Sequence, residues 1–136
     1  MTNLDLVTVL VDDYDRAATW FTEVLGFVVA EDSLATSSAG RAKRWVVVRP
    51  PQGGTGLVLA VPDSEQQRAA VGRQAGDRVS FFLRVPDFEQ RLSVLRAAGV
   101  RLLGAPRTEP YGSVVVFLDP FGNRWDLLGQ PSVRPS

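Results

Sequence analysis

The sequence predicts an α+β fold made of one β-α-β-β-β module repeated twice, and three features carry that expectation. A strand-helix-strand pattern occurs twice, as "LDLVTVLVDDYDRAATWFTEVLGFVVAED" and as "RVSFFLRVPDFEQRLSVLRAAGVRLLG". Setting Asp87 on Asp13 aligns the two at an offset of 74, and dropping one residue brings Gly26 onto Gly99. Each pattern is then followed by two further apolar runs joined by a turn. At 136 residues the chain is one domain with room for a real core.

In order, residues 6–11 (LVTVLV) read as a strand bounded by Asp12-Asp13. Asp13 caps a helix over about residues 14–24, in which Tyr14, Ala17, Ala18, Phe21 and Val24 or Leu25 follow helical spacing. Trp20 and Phe21 are expected in the core or in a contact between modules, and Gly26 ends the helix. A strand follows over residues 27–30, and "SLATSSAG" (33–40) is the most loop-like internal segment. "RWVVVRP" and "LVLAVP" read as strands about the turn "PQGGTG". Its "GGTG" lacks the strand-loop-helix context of a phosphate loop and reads as a hairpin. Trp45 opens its strand as a core or edge residue, or else as a stacking platform. Arg41, Lys43 and Arg44 read as a solvated basic edge.

The second module repeats the plan: a strand, a cap at Asp87, a helix over 88–97, Gly99 and another strand. "SVVVFLD" and "RWDLLG" then flank the turn "DPFGN". The expected organisation is a single domain over 1–136, with module one at about 1–62, a surface connector at 63–77, module two at about 78–130 and a loose tail at 131–136. Part of the connector is expected to be helical.

Composition limits the chemistry. Lys+Arg and Asp+Glu are equal at 15 each, which argues against a nucleic-acid partner, because such proteins carry a one-signed surface. With no cysteine there is no disulfide, zinc-thiolate site or cysteine nucleophile. With no histidine the commonest metal ligand is missing too. No leader-like start and no long apolar run appear, so a cytoplasmic protein without membrane attachment is expected.

The phrases "VDDYDRAATWFTEVLGF", "FFLRVPDFEQRLSVLRAAGV" and "YGSVVVFLDPFGNRWDLL", in this order and spacing, resemble the vicinal oxygen chelate superfamily. That superfamily includes glyoxalase I, extradiol dioxygenases and bleomycin-resistance proteins. The resemblance implies a curled mixed sheet around a concave cavity. In metal-using members, ligands sit on the first and fourth strands of each module. Carried over, those positions fall on Leu6, on a residue within 56–58, on Ser80 and on Asp126. Such a set would bind a transition metal weakly, because catalytic zinc sites use about three good protein ligands. No cofactor is expected.

Period-2 alternation then sorts the side chains. Leu6, Thr8 and Leu10 face the cavity, as do Ser80, Phe82 and Arg84, and Arg124, Asp126 and Leu128. Val7, Val9, Val11, Val79, Phe81, Leu83, Val85, Trp125 and Leu127 pack beneath. Trp45 and Tyr111, the latter in a "PYG" turn over the cavity mouth in relatives, complete the candidate ligand-binding set. Asp126 keeps three readings: a salt bridge to Arg84 or Arg124, a specificity group for a ligand's donor or cation, or a general acid–base. The expectation is a metal-free small-molecule binder, similar to bleomycin-resistance proteins, that sequesters an antibiotic or toxic metabolite as a homodimer. Its neutral charge points to an aromatic or amphipathic ligand. The alternatives are a metal-independent lyase or isomerase using Asp126 with an arginine, and an interaction module that binds no ligand.

Overall fold

A computed structural model describes residues 1–36, 40 and 42–130. The chain divides into two compact units, Met1–Val71 and Gly72–Ser136. The first holds β1 (Leu6–Leu10), α1 (Tyr14–Glu23), β2 (Val28–Thr36), β3 (Ala42–Arg49), β4 (Gly56–Ala60) and α2 (Glu65–Ala70). The second holds β5 (Val79–Arg84), α3 (Phe88–Ala97), β6 (Arg107–Glu109), β7 (Gly112–Leu118) and β8 (Arg124–Leu128). Each unit is a four-stranded mixed sheet, ordered β1-β4-β3-β2 and β5-β8-β7-β6. In both, the first strand pairs parallel to the last and the other pairs are antiparallel. The repeated β-α-β-β-β plan read from the sequence is therefore the plan of the fold.

Local chemistry explains the helices. The Asp13 carboxylate accepts from the Arg16 backbone N–H at 2.7 Å, and Asp87 accepts from Gln90 N–H at 3.1 Å. Both therefore satisfy donors that a helix start leaves open. In the first unit α1 packs against β2, β3 and β4. Its Ala17 and Phe21 are buried, as are Val9, Val46, Val48, Leu57 and Leu59 from the strands. Phe21 meets Phe27 at 5.7 Å and Trp20 edge-on at 5.2 Å between ring centres. In the second unit α3 buries Phe88, Leu92 and Leu95. Trp125 on β8 lies between Phe81 at 4.5 Å and Phe117 at 5.8 Å.

Three expectations change. The segment expected to loop from residue 33 continues as strand to Thr36, because Ser33, Leu34, Ala35 and Thr36 pair with Trp45, Arg44, Lys43 and Ala42. That long-range pairing outweighs the small polar composition. The strand expected directly after Gly99 shrinks to an isolated bridge between Leu102 and Phe117, and pairing resumes at β6. Arg44 is no free edge cation: it bridges Asp15 at 2.9 Å and Asp32 at 2.7 Å, and lies 5.3 Å from the Tyr14 ring. Arg41 and the tail 131–136 lie outside the described residues.

Candidate functional site on the β5–β8–β7–β6 face

The site begins at the turn between β7 and β8. The buried Asp119 carboxylate accepts from the backbone N–H groups of Phe121, Gly122 and Asn123 at 2.9, 3.0 and 2.9 Å. It also accepts from the Asn123 side-chain amide at 2.8 Å and the Trp125 indole N–H at 3.0 Å. This knot fixes the turn and the ring of Trp125. The next residue, Asp126, then points to the opposite face of the sheet.

On that face Asp126 is the Cα partner of Phe82 on β5 and of Val116 on β7. One residue row further lie Arg84, Leu128, Val114 and Arg107. Asp126 is 9% exposed, and its Oδ1 is buried without a hydrogen-bond partner. Phe82 beside it is 65% exposed. A sheet centre that hides a carboxyl but leaves the adjacent ring in solvent is the reverse of ordinary partition. Burial raises the Asp126 carboxyl above the ordinary carboxylate value, and the charge of Arg107 opposes that rise.

The salt bridge expected between Asp126 and Arg84 or Arg124 does not form. Arg84 Nη1 donates to the carbonyls of Gly129 and Tyr111. Arg124 Nη1 donates to the Asp77 carbonyl at 2.6 Å. Backbone acceptors at the strand ends lie within reach of each guanidinium and take it. Arg107 on the edge strand was missed from sequence. Its Nε donates to Glu109 Oε1 at 2.9 Å, and its pKa is held up first by Glu109 and then by the Tyr111 side chain. The only signal for it was the alternation of "RTE", too short to read as a strand.

The first unit offers the same positions with different chemistry. Thr8 is opposite Val58 on β4, which is opposite Val47 on β3. The register therefore makes Val58 the counterpart of Asp126, and settles the position left open within 56–58. Trp45 lies on β3 opposite Ser33, is 38% exposed and donates its indole N–H to Glu31 at 3.2 Å. It is not a core residue. Leu6 is half-buried and Thr8 exposed.

Of the expected ligand-binding residues, Leu6, Thr8 and Trp45 belong to the first unit. Ser80, Phe82, Arg84, Tyr111, Arg124 and Asp126 belong to the second. Phe82 and Asp126 are brought together directly, and Arg84 meets the Tyr111 backbone. Ser80 differs from expectation: the β5 register shifts between Val79 and Phe81, so Arg124 is opposite Val79 and Ser80 is the extra residue of a bulge.

The metal-ligand positions implied by resemblance thus carry Leu6, Val58, Ser80 and Asp126. Two are hydrocarbons and one is a neutral hydroxyl, so this donor set does not fit a transition metal. Among the described residues no three carboxylates gather as a possible ion site.

Comparison with known proteins agrees with this architecture. The family model described as Glyoxalase/Bleomycin resistance protein/Dioxygenase superfamily matches residues 3–127. An uncharacterized protein of Shewanella frigidimarina is 39% identical over 130 residues, covering 95% of this chain and 94% of its own. TnmS3, an antibiotic binding protein from Streptomyces sp. CB03234, is 27% identical with a TM-score of 0.73, over 97% of this chain and 98% of its own. UcmS2 is 30% identical with a TM-score of 0.75, over 94% of this chain and 98% of its own.

Proposed function

Because the chain belongs to the Glyoxalase/Bleomycin resistance protein/Dioxygenase superfamily, we propose that it is a metal-independent small-molecule binding protein that sequesters an antibiotic or toxic metabolite. One observation carries this reading: a buried carboxyl with an unpartnered oxygen sits at the centre of a sheet face beside an exposed ring. A fold keeps an unsatisfied polar group of that kind at a cost in stability, and binding a partner offsets the cost. The likeness to TnmS3, an antibiotic binding protein, supports the same class of ligand. The donor set at the family's ligand positions supports metal independence. Phe82, Asp126, Arg84, Arg107 and Tyr111 form the proposed contact face, with Ser80 and Arg124 of the same unit in supporting positions, while Leu6, Thr8 and Trp45 are assigned to the first unit's own face.

We take the protein to act as a cytoplasmic homodimer. Exposed apolar side chains outside the contact face, such as Leu4 and Leu34, support pairing. Among the described residues no helix is long and apolar enough to cross a membrane. Native mass spectrometry of freshly purified protein tests these points together. The expected result is a two-chain species that carries an organic molecule and no metal. A divalent ion at one per subunit overturns the metal-independent reading.

A second reading, a metal-independent lyase or isomerase, is favoured by the raised Asp126 pKa beside Arg107. It predicts a reaction that Asp126→Asn abolishes while binding survives.

A further inference from the structure

We propose that the second unit's face takes an uncharged planar aromatic ligand, whose hydroxyl pairs with the Asp126 carboxyl while its ring lies against Phe82. This rests on the small-molecule reading above and specifies its ligand. Arg84 Nη1 donates to the carbonyls of Tyr111 and Gly129, Arg124 Nη1 to the carbonyl of Asp77, and Arg107 Nε to Glu109, so none of them reaches the Asp126 carboxyl. Among the described residues of this face, the buried side-chain atom without a hydrogen-bond partner is Asp126 Oδ1.

Charge then selects the ligand's class. A carboxylate would set acceptor oxygens against the acceptor oxygens of Asp126. A cation would meet Arg84, Arg107 and Arg124, which lie on the same face as Asp126. The ligand group that meets the Asp126 carboxyl is therefore neutral. A hydroxyl suits the position better than an N–H or a carbonyl, because it both donates and accepts. It can therefore serve the carboxyl whether or not that group holds its proton, and burial favours the protonated form.

Geometry supplies the ring. Phe82 and Asp126 are Cα partners on neighbouring strands, so their side chains rise side by side, about 5 Å apart. Phe82 is 65% exposed, whereas Phe81 and Trp125 on the other face are in ring contact. A flat ligand laid on Phe82 covers that ring and brings a substituent on its rim over Asp126. The first unit lacks this pairing, because Thr8 and Val58 stand at the corresponding positions.

The test uses one scaffold with four substituents: 2-naphthol, 2-methoxynaphthalene, 2-naphthoate and 2-naphthylmethylammonium. Each is titrated into the full chain while backbone amide shifts are followed by NMR. The expected result is naphthol binding about tenfold tighter than its methyl ether, with the largest shifts at Phe82 and Asp126. Asp126→Leu should bring the two to equal affinity, and Phe82→Ala should weaken both. Equal affinity of naphthol and ether in the wild type overturns the proposal, as does tightest binding of the ammonium or the carboxylate. In those outcomes binding is still seen, so the small-molecule reading stands. If none of the four binds and native mass spectrometry finds no retained molecule, both readings fall.

Discussion

The Asp126 carboxyl holds its proton to higher pH in the folded chain than in the unfolded one, because burial penalises its charge. Between the ordinary value of 3.8 and the raised folded value, the folded chain binds the extra proton. Stability therefore falls as pH rises through that window, and stays lower above it. Asp126→Asn removes the charge at nearly constant volume. Thermal melts should give the variant the higher Tm at neutral pH, with the gap closing below 3.8. A Tm that drops at neutral pH would contradict this account. The Asp119 carboxylate, unlike that of Asp126, is fully engaged by five hydrogen-bond donors. Asp119→Ala should cost about 3–5 kcal/mol in urea denaturation, because buried donors lose their acceptor. From sequence Asp119 read as the start of a turn, and Asp126 as a single acid inside an apolar run. Asp126 was legible as an oddity, but not the fate of Arg84 and Arg124, whose acceptors are backbone carbonyls distant in the chain.

At the scale of elements, what is local was readable and what is paired at a distance was not. Helices α1 and α3 start at the aspartates that sequence assigned as caps. The length of β2, the bulge at Ser80 and the three-residue β6 depend on which strand lies alongside, which no local pattern records. One contact of this kind involves the connector. Gly72 is buried at φ +73, and a Cβ there would run into the Phe121 carbonyl of the "DPFGN" turn. The connector therefore seats directly on the turn that orients β8. Gly72→Ala should cost at least about 2 kcal/mol, through backbone strain and displacement of that turn. Denaturant midpoints measure it, and an unchanged midpoint would refute the contact.

Across the whole molecule the repeat is faithful in backbone and unequal in chemistry. The sheets share strand order and pairing sense, yet Val58 stands where the second unit has Asp126. The polar centre is thus a property of one unit. Val58→Asp would place a second carboxyl between Thr8 and Val47, the latter fully buried. It should destabilise the fold by about 1–3 kcal/mol with no gain in ligand affinity. Urea melts and the naphthol titration check the two halves of that statement. The rim formed by β2 has a further consequence. Its register breaks between Val29 and Glu31, and its centre residue, Asp32, is clasped by Arg44. A sister molecule trying to extend the sheet there would find an interrupted ladder and an ion pair that must open first. Concentrated solutions should therefore resist fibre growth, even though Leu34 on that rim stands 87% exposed.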